Sequence, residues 1–173
     1  MEQTLTMTTV DRDDQFRELL ERHRGIVFKV ANSYAYSTQD REDLAQEIAA
    51  QLWRAFPGYD ATRRFSTWMY RIALNVAISS LRTRKRYDSH HETLDLAIHD
   101  AAASTTDPEI DARIRELYRC INQFDPVNRA LLILYLDEHS QREIAEILGM
   151  TETNVATRIG RLKERLRHDM SET

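Results

Sequence analysis

Apolar residues recur every three or four positions along most of this chain, which is the spacing of one face of an α-helix. The segment from Phe16 to Tyr34 keeps that spacing over about five turns and predicts one long helix. A second helix is predicted from Ser37 or Thr38 to Phe56, because apolar side chains recur there every fourth residue. These side chains are Leu44, Ile48, Leu52 and Phe56.

A third helix is predicted to follow Ser66 or Thr67, either of which can cap it, and to end near residue 86. The periodic pattern lapses from 87 to 107, which predicts a linker. The pattern returns after Asp107-Pro108 and again after Asp125-Pro126, where an aspartate cap precedes proline at the first helical position. The whole chain is therefore predicted to be all-α.

The last two predicted helices, between Ser140 and Arg167, have the pattern of a helix-turn-helix. Ser140 and Glu143 form an S-x-x-E capping box at the start of the first helix. Gly149 can adopt the left-handed conformation that ends a helix, and Thr151 can cap the next one. The buried face of that next helix is predicted to consist of Val155, Ile159, Leu162 and Leu166.

The opposite face of this last helix is small, hydroxylic and basic. Such a face suits a DNA major groove, where Arg and Asn read base edges while Arg, Lys and Thr hold phosphates. A solvated helix of a bundle carries similar charge, but the capped first helix and the glycine turn favour a DNA-binding helix-turn-helix. This face carries Thr153, Ala156, Thr157, Gly160, Arg161 and Glu164, with Asn154, Arg158, Arg165 and Lys163 on its flanks.

The net charge of −4 conceals a separation of charge along the chain. Residues 63–86 contain seven arginines and lysines and no acid, whereas residues 87–139 contain eleven acids against four arginines. Because phosphate binding depends on local patches and not on the total charge, the basic segment is a candidate nucleic-acid surface.

Aromatic residues accompany the arginines at the start of this basic segment. Bases stack on aromatic rings while guanidinium groups hold the backbone, so this mixture suits single-stranded nucleic acid. The aromatic side chains can equally be core residues, with the terminal arginines complementing the helix dipole. Composition leaves both interpretations open for Phe65, Trp68 and Tyr70.

Acidic residues crowd the first turns of the second predicted helix, where the helix dipole stabilises negative charge. The dipole explains some of these acids, which are Asp40, Glu42, Asp43 and Glu47. It does not explain Gln46, Gln51 and Arg54, which extend the polar face further and are available to a protein partner.

The remaining composition narrows the class of protein. No apolar run is long enough to span a membrane, and residues 1–12 are expected to be a disordered leader without a signal peptide. The protein is therefore expected to be soluble and cytoplasmic. Cys120 is the single cysteine and is expected in the core, and no metal or cofactor site is expected.

Two motifs in the first half resemble signatures of the extracytoplasmic-function sigma factors, the smallest class of the bacterial sigma-70 family. The first motif is Asp40-Arg-Glu-Asp-Leu-Ala-Gln-Glu47 followed by Leu52-Trp53-Arg54, which is similar to D-x-E-D-L-x-Q-E…LWR. The second is Phe65-Ser-Thr-Trp68-Met-Tyr-Arg71-Ile-Ala-Leu-Asn75, which is similar to F-x-x-W-L-x-R-I-A-x-N. Both precede a linker and a helix-turn-helix, so the resemblance extends from about Gln15 to His168.

The resemblance implies two small helical domains joined by a flexible acidic linker. A sigma region 2-like domain would occupy residues 13–86, and a region 4-like helix-turn-helix domain would occupy residues 108–170. In that family the linker, here residues 87–107, threads toward the polymerase active-site cleft and the RNA exit channel.

The resemblance also implies a function, that of a non-enzymatic subunit of RNA polymerase. Such a subunit binds the core enzyme through the β′ clamp helices and the β subunit, directs it to −35 and −10 promoter elements, and assists melting. Many members are held inactive by an anti-sigma factor, which is therefore a further candidate partner.

The family's functional positions carry over to three groups of residues in this sequence. The implied core-polymerase contacts are Asp43, Gln46, Glu47 and Arg54. The implied −10 DNA contacts are Tyr59, Arg63, Arg64, Phe65, Ser66, Trp68, Arg71 and Asn75. The implied −35 contacts are Thr153, Asn154, Ala156, Thr157, Arg158, Gly160 and Arg161.

Two other interpretations compete with this one. A stand-alone helix-turn-helix regulator would bind a palindromic duplex site, but it leaves the basic 63–86 segment unexplained. A helical enzyme that used Asp40, Glu42, Asp43 and Glu47 would need these acids in a pocket with a base or a metal. Helical spacing instead spreads them along an exposed face, so the enzyme interpretation ranks last.

Overall fold

The computed structural model describes residues 9–87 and 107–171 of the 173-residue chain. This described part contains eight α-helices and no strand, which confirms the all-α prediction. The helices are α1 (Thr9–Arg22), α2 (Arg24–Tyr34), α3 (Thr38–Ala55), α4 (Phe65–Tyr87), α5 (Pro108–Ile121), α6 (Pro126–Leu136), α7 (Gln141–Leu148) and α8 (Glu152–Ser171). A short 3-10 turn, Phe56–Gly58, follows α3. Most of the predicted linker, residues 88–106, lies outside the described residues.

The first half of the fold is built by α2, α3 and α4, which pack against one another. The predicted apolar stripe of α3 is buried between them through Leu44, Ile48 and Leu52. α1 joins this group through Phe16, whose ring lies 5.1 Å from the rings of Trp53 and Phe56. The polar face of α3 is left on the outside.

The second half is built by α5 to α8, with α8 packed against the other three. Both predicted aspartate caps are confirmed: Asp107 accepts a hydrogen bond from the Glu109 amide, and Asp125 accepts from the amides of the two residues after Pro126. Cys120 is buried, as predicted. The predicted buried face of α8 is also confirmed for Val155, Ile159, Leu162 and Leu166.

The two halves are in direct contact, because α4 also packs against α6 and α7. Their buried apolar side chains form one continuous cluster. Tyr34 at the end of α2 donates a hydrogen bond to the Pro126 carbonyl at 2.6 Å, and Arg129 donates to the Ser33 carbonyl at 2.7 Å. α6 is therefore anchored on α2 as well as on its own half.

The predicted single helix from Phe16 to Tyr34 is wrong, because the chain breaks at His23 into α1 and α2. His23 has φ −113° and ψ 12°, and its imidazole ring packs on Phe65 at 5.4 Å. Gly25 follows two residues later, and a glycine in a helix interior costs about 1 kcal/mol relative to alanine. A continuous helix is thus disfavoured near Gly25, and the His23 ring lies against Phe65 at the break.

Two predicted helix starts also differ. α1 begins at Thr9, so residues 9–12, which were assigned to the leader, are helical. α4 begins at Phe65, before both Ser66 and Thr67, because the Trp68 amide already donates to the Arg64 carbonyl. Within the part of the chain that is described, no helix combines the length and the apolar character needed to cross a membrane.

The left-handed turn at Gly149 generates a stability prediction. Gly149 has φ +66°, and an added Cβ would meet nothing within 4 Å, so Gly149→Ala should cost about 1 kcal/mol through backbone strain alone. Gly160 lies inside α8 with similarly open space, so Gly160→Ala should stabilise the protein by up to about 1 kcal/mol. Urea unfolding followed by circular dichroism measures both changes. If the two substitutions changed the free energy of unfolding in the same direction, the predicted strain at Gly149 would be wrong.

Candidate nucleic-acid interface

The helix-turn-helix is fixed by short-range hydrogen bonds. The Ser140 hydroxyl accepts from the Glu143 amide at 3.2 Å, and the Glu143 carboxylate accepts from the Ser140 amide at 2.9 Å, which completes the predicted capping box. Gly149 closes α7 in the left-handed conformation. The Thr151 hydroxyl then accepts from the Asn154 amide at 3.2 Å, as predicted for the cap of α8.

The outer face of α8 carries the predicted −35 contacts. Asn154 accepts a hydrogen bond from the Arg158 guanidinium at 3.1 Å, so these two side chains form one polar unit on the surface. A Cβ added at Gly160 would meet nothing within 4 Å, so the surface of α8 is open at this position. The exposed members are Thr153, Asn154, Thr157, Gly160 and Arg161, and the half-buried members are Ala156 and Arg158.

The loop before α4, residues 58–64, is held in shape by its own side chains. The Asp60 carboxylate accepts from both the amide (2.9 Å) and the hydroxyl (2.7 Å) of Thr62, and these bonds lower the pKa of Asp60. Tyr59 stacks on Phe56 with 6.0 Å between ring centroids and donates its hydroxyl to the Arg63 carbonyl at 2.6 Å. The loop is therefore ordered before any ligand binds.

An aromatic cluster lies directly beneath this loop. It consists of Phe56, Tyr59, Phe65 and Trp68, whose adjacent rings are 5.1 to 6.5 Å apart. Phe65 is only 6% exposed, so its ring is not available to a base and the implied DNA contact at this position is not supported. Tyr59 and Trp68 are half-buried and keep part of their rings accessible.

The polar −10 candidates lie around the mouth of the loop and along α4. Arg71 and Asn75 are exposed one turn apart, and Ser66 is half-buried. Arg63 and Arg64 are exposed at the end of the loop. Among the predicted −10 candidates Phe65 is buried, and the others are exposed or half-buried.

The four implied polymerase contacts share the exposed polar face of α3. Asp43, Gln46, Glu47 and Arg54 are all exposed. Arg54 lies 3.7 Å from the Glu47 carboxylate, which spans nearly two turns of the helix. Trp53, which was not among the candidates, is an exposed large apolar side chain beside this face. Its place in the Leu-Trp-Arg motif is the signal that could have identified it.

Sequence reasoning also missed a polar cluster on the inner side of the fold. Asp137, just after α6, accepts hydrogen bonds from Lys29 and from the Tyr70 hydroxyl, the latter at 2.6 Å. Burial works against the charged form, but these two donors keep the pKa of Asp137 below its ordinary value. His139 packs its ring edge-on against Tyr70, and burial lowers its pKa. No group of three or more potential metal ligands occurs among the residues described.

Two family models match the two halves in the order that the motifs indicated. Sigma-70 region 2 matches residues 19–87, and sigma-70 region 4 matches residues 114–166. The chain belongs to the extracytoplasmic-function class of the sigma-70 family. The region 2 match covers the polar face of α3, the loop and α4, and the region 4 match covers the helix-turn-helix.

Relatives of this class align with nearly the whole chain. The extracytoplasmic-function sigma factor SigW of Bacillus subtilis is 28% identical over 91% of this chain and 89% of its own length. The extracytoplasmic-function sigma-E factor of Haemophilus influenzae is 28% identical over 94% of both chains.

Solved structures share the fold. The sigma factor RpoE from Bartonella quintana, in complex with the anti-sigma factor NepR, superposes with a TM-score of 0.76 at 20% identity over 91% of this chain and 97% of that one. CnrH in complex with the cytosolic domain of CnrY superposes with a TM-score of 0.66 at 23% identity over 92% of this chain and 90% of that one.

Proposed function

We propose that this sigma factor binds core RNA polymerase in the cytoplasm, directs it to promoters with −35 and −10 elements, and assists strand opening without being an enzyme itself. The observation that carries the proposal is the presence of a region 2 match and a region 4 match, in that order, in one chain. A stand-alone helix-turn-helix regulator has no use for a region 2. The proposed working units are residues 13–86 and 108–170, joined by 87–107.

The polar face of α3 is the proposed surface for the β′ clamp helices, with further contact to the β subunit elsewhere on the protein. Asp43 and Glu47 supply negative charge, and Gln46 and Arg54 supply donors. Trp53 extends the face with an exposed ring, and tryptophan is enriched at the energetic centres of protein interfaces.

The loop and α4 are the proposed site for the non-template strand of the −10 element. Extruding a base from a duplex costs a few kcal/mol of stacking and pairing, and a preformed pocket offsets part of that cost. The internal hydrogen bonds of the loop provide such preorganisation. Tyr59 and Trp68 offer ring surface, Arg71 and Asn75 offer polar contacts, and the buried Phe65 supports the pocket from below.

The outer face of α8 is the proposed reader of the duplex −35 element. Its exposed hydroxyl, amide and guanidinium groups suit base edges and phosphates in a major groove. An anti-sigma factor is a further proposed partner, because the RpoE structure contains the anti-sigma factor NepR and the CnrH structure contains the cytosolic domain of CnrY.

Run-off transcription tests the proposal directly. The purified protein is added to bacterial core polymerase lacking sigma, with fragments of the genome that encodes it as template. Discrete transcripts that depend on the protein are expected, because the core enzyme alone does not select promoters. Specific duplex binding by the free protein, with no effect on core polymerase, would replace the proposal with the regulator interpretation.

Charge reversal on α3 tests the polymerase surface. Glu47→Lys or Asp43→Lys should abolish co-elution with core polymerase while changing the free energy of unfolding by no more than about 0.5 kcal/mol, because both side chains are exposed. Glu18→Lys is the matched control, since Glu18 is also exposed on a helix and paired with an arginine, Arg22. Retained binding by the α3 variants would exclude this surface.

Arg161→Ala tests the −35 surface. Loss of one guanidinium from the exposed face should reduce transcription about tenfold from a promoter with an intact −35 element and lower the salt dependence of binding. A promoter mutated only in that element should show little further loss. Arg167→Ala removes the same charge six positions beyond Arg161, past the last candidate contact on α8, and should have little effect. Equal losses on both promoters would show that Arg161 does not read this element.

A further inference from the structure

Two arginines of the proposed −10 loop are already bound by carboxylates of the other half of the protein. Arg63 donates to Glu146 at 2.9 Å, and Arg64 donates to Glu143 at 2.8 Å. Both glutamates lie on α7, the first helix of the helix-turn-helix. The carboxylates therefore stand where the phosphates of a bound strand would be expected, since arginine pairs with both groups through the same charge-assisted hydrogen bonds.

A second set of contacts holds the two halves together at partly buried positions. Tyr70 and Lys29, from the first half, both donate to Asp137 of the second half. Tyr34 donates to the Pro126 carbonyl at 2.6 Å. The groups in these hydrogen bonds are less exposed to water than the arginine–glutamate pairs are, so they contribute more to the stability of the closed arrangement.

This closed arrangement is incompatible with a sigma factor engaged on both promoter elements. Elements named −10 and −35 lie about 25 base pairs apart, which is roughly 85 Å of B-form DNA at about 3.4 Å per base pair. In the structure the −10 loop is hydrogen bonded to α7, the helix that immediately precedes the proposed −35 reader. The contacts between the halves must therefore break when both elements are bound.

We propose that Glu143 and Glu146 act as internal phosphate mimics that mask Arg63 and Arg64 in the free protein, and that the bonds at Asp137 and Pro126 hold this autoinhibited state closed. The −35 face of α8 stays exposed in the same state. Masking therefore affects the binding of single-stranded DNA at the −10 loop and leaves the −35 face free to bind duplex DNA. This inference rests on the function proposed above.

Glutamine substitutions test the masking without disturbing the fold. Glu143→Gln/Glu146→Gln should bind a fluorescein-labelled single-stranded oligothymidine about fivefold more tightly at low salt, measured by fluorescence anisotropy. Glutamine preserves the capping box, because glutamine also serves at that position. The matched control is Glu18→Gln/Glu109→Gln, which removes the same charge and also frees two arginines, Arg22 and Arg113. The control should bind as the wild type does.

Phenylalanine substitutions test the closure with no change of charge. Tyr34→Phe/Tyr70→Phe removes only the two hydroxyl donors between the halves. This variant should show a larger radius of gyration by small-angle X-ray scattering and a similar gain in oligothymidine affinity. Both gains in affinity should vanish when Arg63→Ala/Arg64→Ala is added.

The outcomes separate failure of this inference from failure of the proposed function. If the wild type binds as tightly as the glutamine and phenylalanine variants, and binding depends on Arg63 and Arg64, masking is wrong and the −10 assignment stands. If no variant depends on these arginines, the −10 assignment fails and the inference fails with it. Tighter binding that requires both arginines supports the masked state.

Discussion

The buried guanidinium of Arg129 donates hydrogen bonds to backbone carbonyls at the ends of two helices. Its Nη1 donates to the Ser33 carbonyl in the last turn of α2, and its Nη2 donates to the carbonyls of Asn122 and Phe124 just beyond α5. The last carbonyls of a helix have no partner within it, and the helix dipole favours a cation there. A buried cation without partners would cost several kcal/mol, so these acceptors are what allow Arg129 to be 7% exposed. Because α2 belongs to one half and α5 to the other, Arg129 fixes how the halves meet.

The features that could be predicted from sequence are those in which the interacting groups lie within about four residues of each other along the chain. The Ser140 capping box, the Gly149 turn and the aspartate caps each need only neighbouring atoms, and all formed as predicted. The buried face of α8 followed from spacing alone. The family motifs also pointed to the polar face of α3, where all four candidate polymerase contacts are exposed.

The features that were missed depend on residues far apart in sequence. Lys29 and Asp137 are 108 positions apart, and no periodicity in either segment indicates that they meet. The rings of His23 and Phe65 are in contact although they lie 42 positions apart in sequence, and neither the break at His23 nor the burial of Phe65 follows from the local pattern. In these cases contacts between distant segments, and not the local sequence pattern, determine the structure. The role of Arg129 was hidden for the same reason, since in sequence it is one arginine within an acidic stretch.

The basic segment 63–86 meets two acids of the second half, Glu143 and Glu146, which lie outside the acidic stretch 87–139. Acids of the second half lie against arginines of the first, so the basic segment is partly neutralised inside the free protein. Exposed ion pairs are individually weak and are screened by salt, whereas a DNA strand presents a continuous row of phosphates. Once the halves separate, a DNA strand can therefore take the place of Glu143 and Glu146 at these arginines. Holding and masking rest on different residues. Bonds of Asp137, Tyr34 and Arg129 hold the halves together, whereas Glu143 and Glu146 mask the arginines, so substitution can change either property independently.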